Sequence, residues 1–252
     1  MCFELNSSPP IPPIEGGAVD HRDLVLESAD GNRFAAFAAF PDEPSGNGVV
    51  ILPDVRGLSR FYEELALRFA ERGIAAVSLD YFGRTAGTEK RGEDFEHMEH
   101  VAQTTPDGIQ ADVRAAVEYL RSPEGAESRA VFTVGFCFGG RNSWLSAAGG
   151  HGLAGSIGFY GVPGQRESPG PVQRVGEMRA PILALQAGAD EKISAADNAE
   201  FEEALTAAGV EHEIVIYAGA PHSFFDRRYE DFAGDSADAW SRTLAFIERY
   251  GA

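Results

Sequence analysis

Three residues of this chain have the types, and the sequence order, that acyl transfer to a thiol requires. Cys137 lies in Gly135-Phe136-Cys137-Phe138-Gly139-Gly140. A thiol attacks a carbonyl as its thiolate, so it needs a base or a lowered pKa. His222, in Gly219-Ala220-Pro221-His222-Ser223-Phe224-Phe225, is the candidate base. Asp190, in Gln186-Ala187-Gly188-Ala189-Asp190-Glu191, is the candidate acid that would fix the imidazole tautomer and stabilise its cation. The adjacent Glu191 is the rival for that role, and Asp190 stands at the better distance from the preceding strand. His21, His97, His100, His151 and His212 are expected in loops or on solvated faces.

The elements around these residues must bring them together. The apolar run at 130–134 reads as a buried strand, and 141–148 reads as a helix without a breaker. Strand, glycine-flanked turn and helix form the setting of a nucleophile elbow, in which the central side chain stands exposed above a sheet. A lone cysteine at a strand end is more often a small buried core residue. The small neighbours argue against that here, because a Cβ beside the turn would clash where strand and helix pass closely. Further strands are expected at 23–28 and 33–40, joined by an Asp30-Gly31 turn, and at 48–53, 74–79, 153–160, 182–186 and 212–217. Helices are expected at 61–71, 107–121, 195–208 and 234–250. The stretch at 81–106 reads as a long irregular loop, of the kind that usually serves function.

This alternation predicts an α/β fold: a mostly parallel sheet of about eight strands, with an antiparallel N-terminal hairpin and helices on both faces. Residues 1–20 are rich in Pro and Gly and read as an extended arm with little structure of its own; residues 21–252 read as one domain. In such a sheet the loops at the carboxyl ends of the strands line the site, so Cys137, Asp190 and His222 can meet there. Another such loop is Pro53-Asp54-Val55-Arg56-Gly57-Leu58. Its main chain and that of the residue after the nucleophile can form an oxyanion hole, which assigns the N–H groups of Val55 and Phe138. Asp54 itself reads equally well as a turn residue or N-cap.

Composition narrows the partners. The net charge is −18 over 252 residues, which argues against nucleic acid and against an anionic membrane surface. The two cysteines, Cys2 and Cys137, imply no disulfide framework. The N-terminus has no basic region followed by an apolar one, and no run approaches the roughly 20 apolar residues that span a bilayer. A cytoplasmic protein is expected. No Gly-x-x-x-x-Gly-Lys loop and no repeated His-carboxylate spacing on one helix occur, so no phosphate loop, metal or other cofactor is expected.

The elbow, Asp190 after Gly188, and Pro221-His222-Ser223-Phe224-Phe225 together resemble the dienelactone hydrolase family of the α/β-hydrolases. Asp54-Val55-Arg56-Gly57 and Asp80-Tyr81-Phe82-Gly83-Arg84 support the likeness, which runs from about residue 22 to the end. The resemblance implies a Cys137-His222-Asp190 triad and carboxylic ester hydrolysis, opening a lactone or small ester through a thioacyl-enzyme. It also maps an acidic residue, usually Glu in the family, onto Asp54, which would help to activate the thiol. Arginines that hold a substrate carboxylate map onto Arg84 and onto the stretch after His222. There the strict offset falls on Asp226, with Arg227 and Arg228 just beyond. Arg56, Tyr81, Arg84, Phe224 and Arg227 are thus the expected substrate-binding residues. The expected partner is a small ester or lactone that can carry a carboxylate, bound by a monomer or homodimer. The alternatives are a relative with Cys137 as a sensor thiol, which Cys2 could resolve only if the arm folds over the site, and a hydrolase of another ester or thioester.

Overall fold

Residues 3–14, 19–92 and 94–252 are described by a computed structural model. They build an eight-stranded sheet in the order β1-β2-β4-β3-β5-β6-β7-β8. The hairpin is β1 (Val19–Glu27) with β2 (Arg33–Pro41), antiparallel throughout. Next come β3 (Asn47–Leu52), α1 (Arg60–Ala70) and β4 (Ala75–Leu79). β4 pairs antiparallel with β2 and parallel with β3. The span expected to be an irregular loop holds two short helices, α2 (Gly83–Ala86) and α3 (His97–Val101). They are too short to show a 3.6-residue apolar period, so the sequence pattern did not disclose them. α4 (Pro106–Arg121), β5 (Ala130–Phe136), α5 (Phe138–Ser146), β6 (Gly155–Phe159), α6 (Pro171–Arg174), β7 (Ile182–Ala187), α7 (Ala195–Ala208), β8 (His212–Tyr217) and α8 (Ala233–Tyr250) follow. From β3 onward every pairing is parallel except that of β4 with β2.

Side-chain alternation divides the core into layers. On β3, Val49 and Ile51 face α1 and α8, among Phe61, Leu65, Phe69, Trp240 and Ile247. Val50 and Leu52 face the other side, among Ile109, Val113, Val117 and Leu120 of α4. Each such fully buried side chain contributes about 1.5–3 kcal/mol relative to exposure. The helices begin where the chain supplies caps: the Thr105 hydroxyl accepts from the Gly108 N–H ahead of Pro106, and Ser194 forms a capping box with Asp197. α7 ends on Gly209 in the left-handed region.

The arm makes tertiary contacts that its sequence did not disclose. Residues 3–14 form no helix or strand, yet Phe3, Ser7 and Ile11 are buried, and Phe3, Ser8, Pro9 and Ile14 are hydrogen-bonded to the body of the protein. Low sequence periodicity signals the absence of regular structure, not of tertiary contacts. Cys2 lies outside the described residues. Among the described residues no helix is long and apolar enough to cross a membrane.

Candidate active site

Cys137 is the hinge between β5 and α5, with φ 56° and ψ −111°. A residue that carries a Cβ is uncommon at positive φ, and the surroundings hold it in place. The Cys137 N–H donates to the Phe159 carbonyl at 2.9 Å, and its own carbonyl accepts from Arg141 N–H at 3.2 Å. The neighbouring glycines are obligatory by contact. A Cβ on Gly135 would lie 2.0 Å from the Gly139 carbonyl oxygen, and one on Gly139 would lie 2.0 Å from that of Leu52. The start of α5 therefore abuts the end of β3, where the register pairs Leu52 with Gly135. Val55 and Phe138 each stand three residues beyond that pair, past the carboxyl ends of adjacent strands.

His222 follows β8, and its Nδ1 lies 2.5 Å from Asp190 Oδ2. A carboxylate only accepts, so a neutral imidazole carries its proton on Nδ1 and keeps Nε2 as its acceptor nitrogen. Asp190 also accepts from the Lys192 N–H at 2.8 Å. Burial alone would raise its carboxyl; the hydrogen bonds from His222 and Lys192 outweigh that and hold it below the usual aspartate value. Glu191 is exposed. The Tyr160 ring packs 5.0 Å from the imidazole, centroid to centroid, at the end of β6 with φ 37°.

Asp54 is 1% exposed. Its Oδ2 accepts from the Phe3 N–H at 3.2 Å and its Oδ1 from the Arg56 N–H at 2.9 Å. Burial pushes its carboxyl up against the pull of those two N–H groups. A second buried carboxylate, Asp80, accepts from Leu58 N–H at 3.1 Å and from Arg91 Nη2 at 2.8 Å, so it ties the oxyanion-side loop to the end of β4. A cavity of about 520 Å³ lies beside this loop, lined by Phe3, Asp54, Arg56, Phe61, Arg91 and His97 among others.

The expected substrate contacts are only partly gathered. Arg56 lines the cavity while one of its Nη groups donates to the Phe3 carbonyl. Tyr81 is buried; its hydroxyl donates to the Pro53 carbonyl at 2.7 Å, and its ring meets Phe138 edge-on at 5.2 Å. Burial raises its phenol well above the ordinary value, so it serves as a neutral donor. Arg84 departs from expectation, because its guanidinium is engaged by Asp112 at 2.5 Å and Asp30 at 2.7 Å. Phe224 is fully buried and packs beneath the site against Tyr160 and Tyr217. Arg227 holds the arm: its N–H donates to Ser8 and its guanidinium to Pro9. Arg228 pairs with Glu4 at 2.8 Å, and buried Asp226 accepts from Ser8 N–H at 3.3 Å. His151, expected on the surface, is buried against Gln110, and burial lowers its pKa to about 4. Among the described residues no group of three or more His, Cys, Asp or Glu stands together as a metal site.

The dienelactone hydrolase family model matches residues 34–251. The chain belongs to the dienelactone hydrolase family. Its members are carboxylic ester hydrolases, and this chain carries their fold. It is 27% identical over 231 residues to an Escherichia coli K12 protein named "Putative carboxymethylenebutenolidase", covering 88% of this chain and 85% of that one. The crystal structure of a "Putative Dienelactone Hydrolase" from Klebsiella pneumoniae superposes with a TM-score of 0.81 at 26% identity, over 92% of this chain and all of the other. A dienelactone hydrolase-like promiscuous phosphotriesterase from metagenomic libraries shares the fold at 19% identity, with a TM-score of 0.76 over 94% of this chain.

Several residues that hold the surrounding segments in place lack a sequence signal of their own. Phe3 sits in a stretch without periodicity, and Arg91 in one read as loop. Arg141 is 8% exposed and donates to the carbonyls of Val162, Gly164, Ser168 and Pro169, fixing the loop after β6. Only Asp80, at a strand's carboxyl end like Asp54, had a position that could have marked it.

Proposed function

We propose that this dienelactone hydrolase relative opens a small, uncharged lactone or ester through a thioacyl-enzyme on Cys137. The hydrogen bond between His222 and Asp190 carries this reading, because it leaves Nε2 of the imidazole for the thiol proton. In the first half-reaction that proton passes to Nε2 as Sγ bonds to the carbonyl carbon and the C=O electron pair moves onto oxygen. The main-chain N–H groups of Val55 and Phe138 stabilise this oxyanion, each such donor being worth about 3 kcal/mol in comparable hydrolases. Collapse breaks the C–O bond, and the imidazolium gives its proton to the departing oxygen, which stays tethered when the substrate is a lactone. Water then attacks the thioacyl carbon with His222 as base, and the thiolate leaves and recovers the proton. Asp190 keeps its charge throughout and stabilises the imidazolium.

The preference for an uncharged substrate rests on the arginines. Arg84, Arg227 and Arg228 are each engaged by this chain's own carboxylates or carbonyls. Arg56 lines the cavity and is engaged by the Phe3 carbonyl, and Tyr81 buttresses Phe138. Hydrolysis of p-nitrophenyl acetate by Cys137→Ala should fall by about 10³-fold or more. Wild-type rates in the variant would sink the mechanism. A lactone panel with and without a carboxylate should show no advantage for the charged members.

A further inference from the structure

We propose that Phe3 is a specificity-determining residue. The N-terminal arm is a strap across the active site, and the Phe3 ring is the partition that separates the 520 Å³ cavity from the nucleophile. This rests on the ester-hydrolase reading of the same site and adds the part of the chain that limits its acyl group.

The strap is anchored on both sides of Cys137. On the oxyanion side the Phe3 N–H donates to Asp54 and the Phe3 carbonyl accepts from Arg56. On the histidine side Ser8 and Pro9 are held by Asp226 and Arg227, four and five residues after His222. Residues 3–8 therefore cross from one wall of the site to the other. Phe3 is 4% exposed and stacks on Phe61 with centroids 3.9 Å apart; Phe136, Tyr62 and Tyr160 lie 6.1, 6.2 and 6.3 Å away. Cys137 packs against this same apolar cluster, and Tyr160 is also the ring beside His222. Phe3 thus touches the nucleophile's apolar surroundings on one side and lines the cavity on the other. The described cavity lining includes neither Cys137 nor His222.

A ring in that place leaves room at the thiol for a short acyl group and bars an aryl one. Removing it joins the cavity to the site. The cavity wall offers Phe61, Leu58 and Phe95 for an aromatic acyl group, so the opened pocket would hold one.

The test is a size series at position 3 in the full chain: Phe3→Ala, Phe3→Leu, wild type and Phe3→Trp. The ratio of kcat/KM for p-nitrophenyl phenylacetate over p-nitrophenyl acetate should rise about tenfold in Phe3→Ala, less in Phe3→Leu, and fall below wild type in Phe3→Trp. A readout independent of hydrolysis is the labelling of Cys137 by N-phenylmaleimide relative to iodoacetamide, followed by mass on the peptide that contains Cys137. It should follow the same order. A ratio constant within about twofold across the series, with unchanged labelling preference, overturns the partition. If no variant hydrolyses either ester yet the labelling order holds, the partition stands and the ester-hydrolase reading is what fails. Phe3→Leu and Phe3→Trp keep an apolar filler and guard against loss of folding in Phe3→Ala.

Discussion

The His222 corner and the Asp54 corner each hold a carboxylate beyond the end of a parallel strand, shielded from solvent, and their carboxyls are pushed in opposite directions. Asp190 meets a ring nitrogen and a backbone N–H, and its carboxyl is held down. Asp54 meets two backbone N–H groups, and burial pushes its carboxyl up. Burial is the first influence at both. What differs is the directly bonded partner: a ring nitrogen that can take a proton at Asp190, and backbone amides at Asp54, where the charges of Arg56 and His97 act only from a distance. An imidazole that takes a proton during catalysis rewards a fixed negative charge beside it, whereas neutral amides repay only part of the cost of desolvation. On the mechanism proposed above, Asp190 answers a proton, whereas Asp54 holds a segment of backbone.

Breaking the first corner should have the largest effect. Asp190→Asn is expected to lower kcat by on the order of 10³-fold with little change in the fold, because the amide cannot favour the required tautomer. Its pH behaviour gives a second reading. Asp190 is held below its ordinary value of 3.8, so the stability it supplies is complete above that pH and is lost as the pH falls through the lower folded value. Thermal melts of the variant should therefore show a shallower acid limb than wild type. An intermediate effect is expected where a carboxylate is matched by a permanent cation. Arg84→Ala leaves Asp112, 1% exposed at its side chain, without its guanidinium. We expect a loss of about 2 kcal/mol, discounted for the partial exposure of Arg84, with kcat/KM unchanged within about threefold. Denaturant midpoints and a carboxylate-bearing lactone check both halves; selective loss of activity on the charged lactone would restore Arg84 as a clamp. The smallest effect is expected at the second corner. Asp54→Asn should lower kcat less than about tenfold, since the amide oxygen still accepts one N–H. A raised carboxyl destabilises progressively as pH climbs above 3.8. The variant should therefore gain on wild type in melting temperature as the pH rises from 3.8 through the raised folded value. A kcat loss matching that of Asp190→Asn would instead place Asp54 in activation of the thiol.

Much of this was legible in the sequence because local chemistry and sheet topology agree. The elbow glycines, the β3 to β8 strands and the order Cys137, Asp190, His222 each follow from the short-range pattern, and the parallel sheet brings their ends together without further information. The arginines were not legible. Whether Arg84 faces a substrate or Asp112 depends on a residue 28 positions away, and no periodicity encodes that pairing. Phe3 is the sharper case: an arm poor in helix and strand signals gives no hint that its first aromatic ring stacks on Phe61, because that contact is set by the cavity's shape. Loops that read as irregular likewise concealed Arg91, whose guanidinium lies 4.9 Å above the Phe95 ring.

Arg141 has a consequence for how this site can change. One guanidinium gathers four main-chain carbonyls of the 162–169 loop. Carbonyls are present whatever the side chains, so the loop's path is dictated from α5 and not from the loop's own residues. Its side chains are left to vary without loss of shape. A loop whose contour is inherited from α5 and whose side chains are open to drift can change its surface chemistry while the turn that carries Cys137 keeps its place.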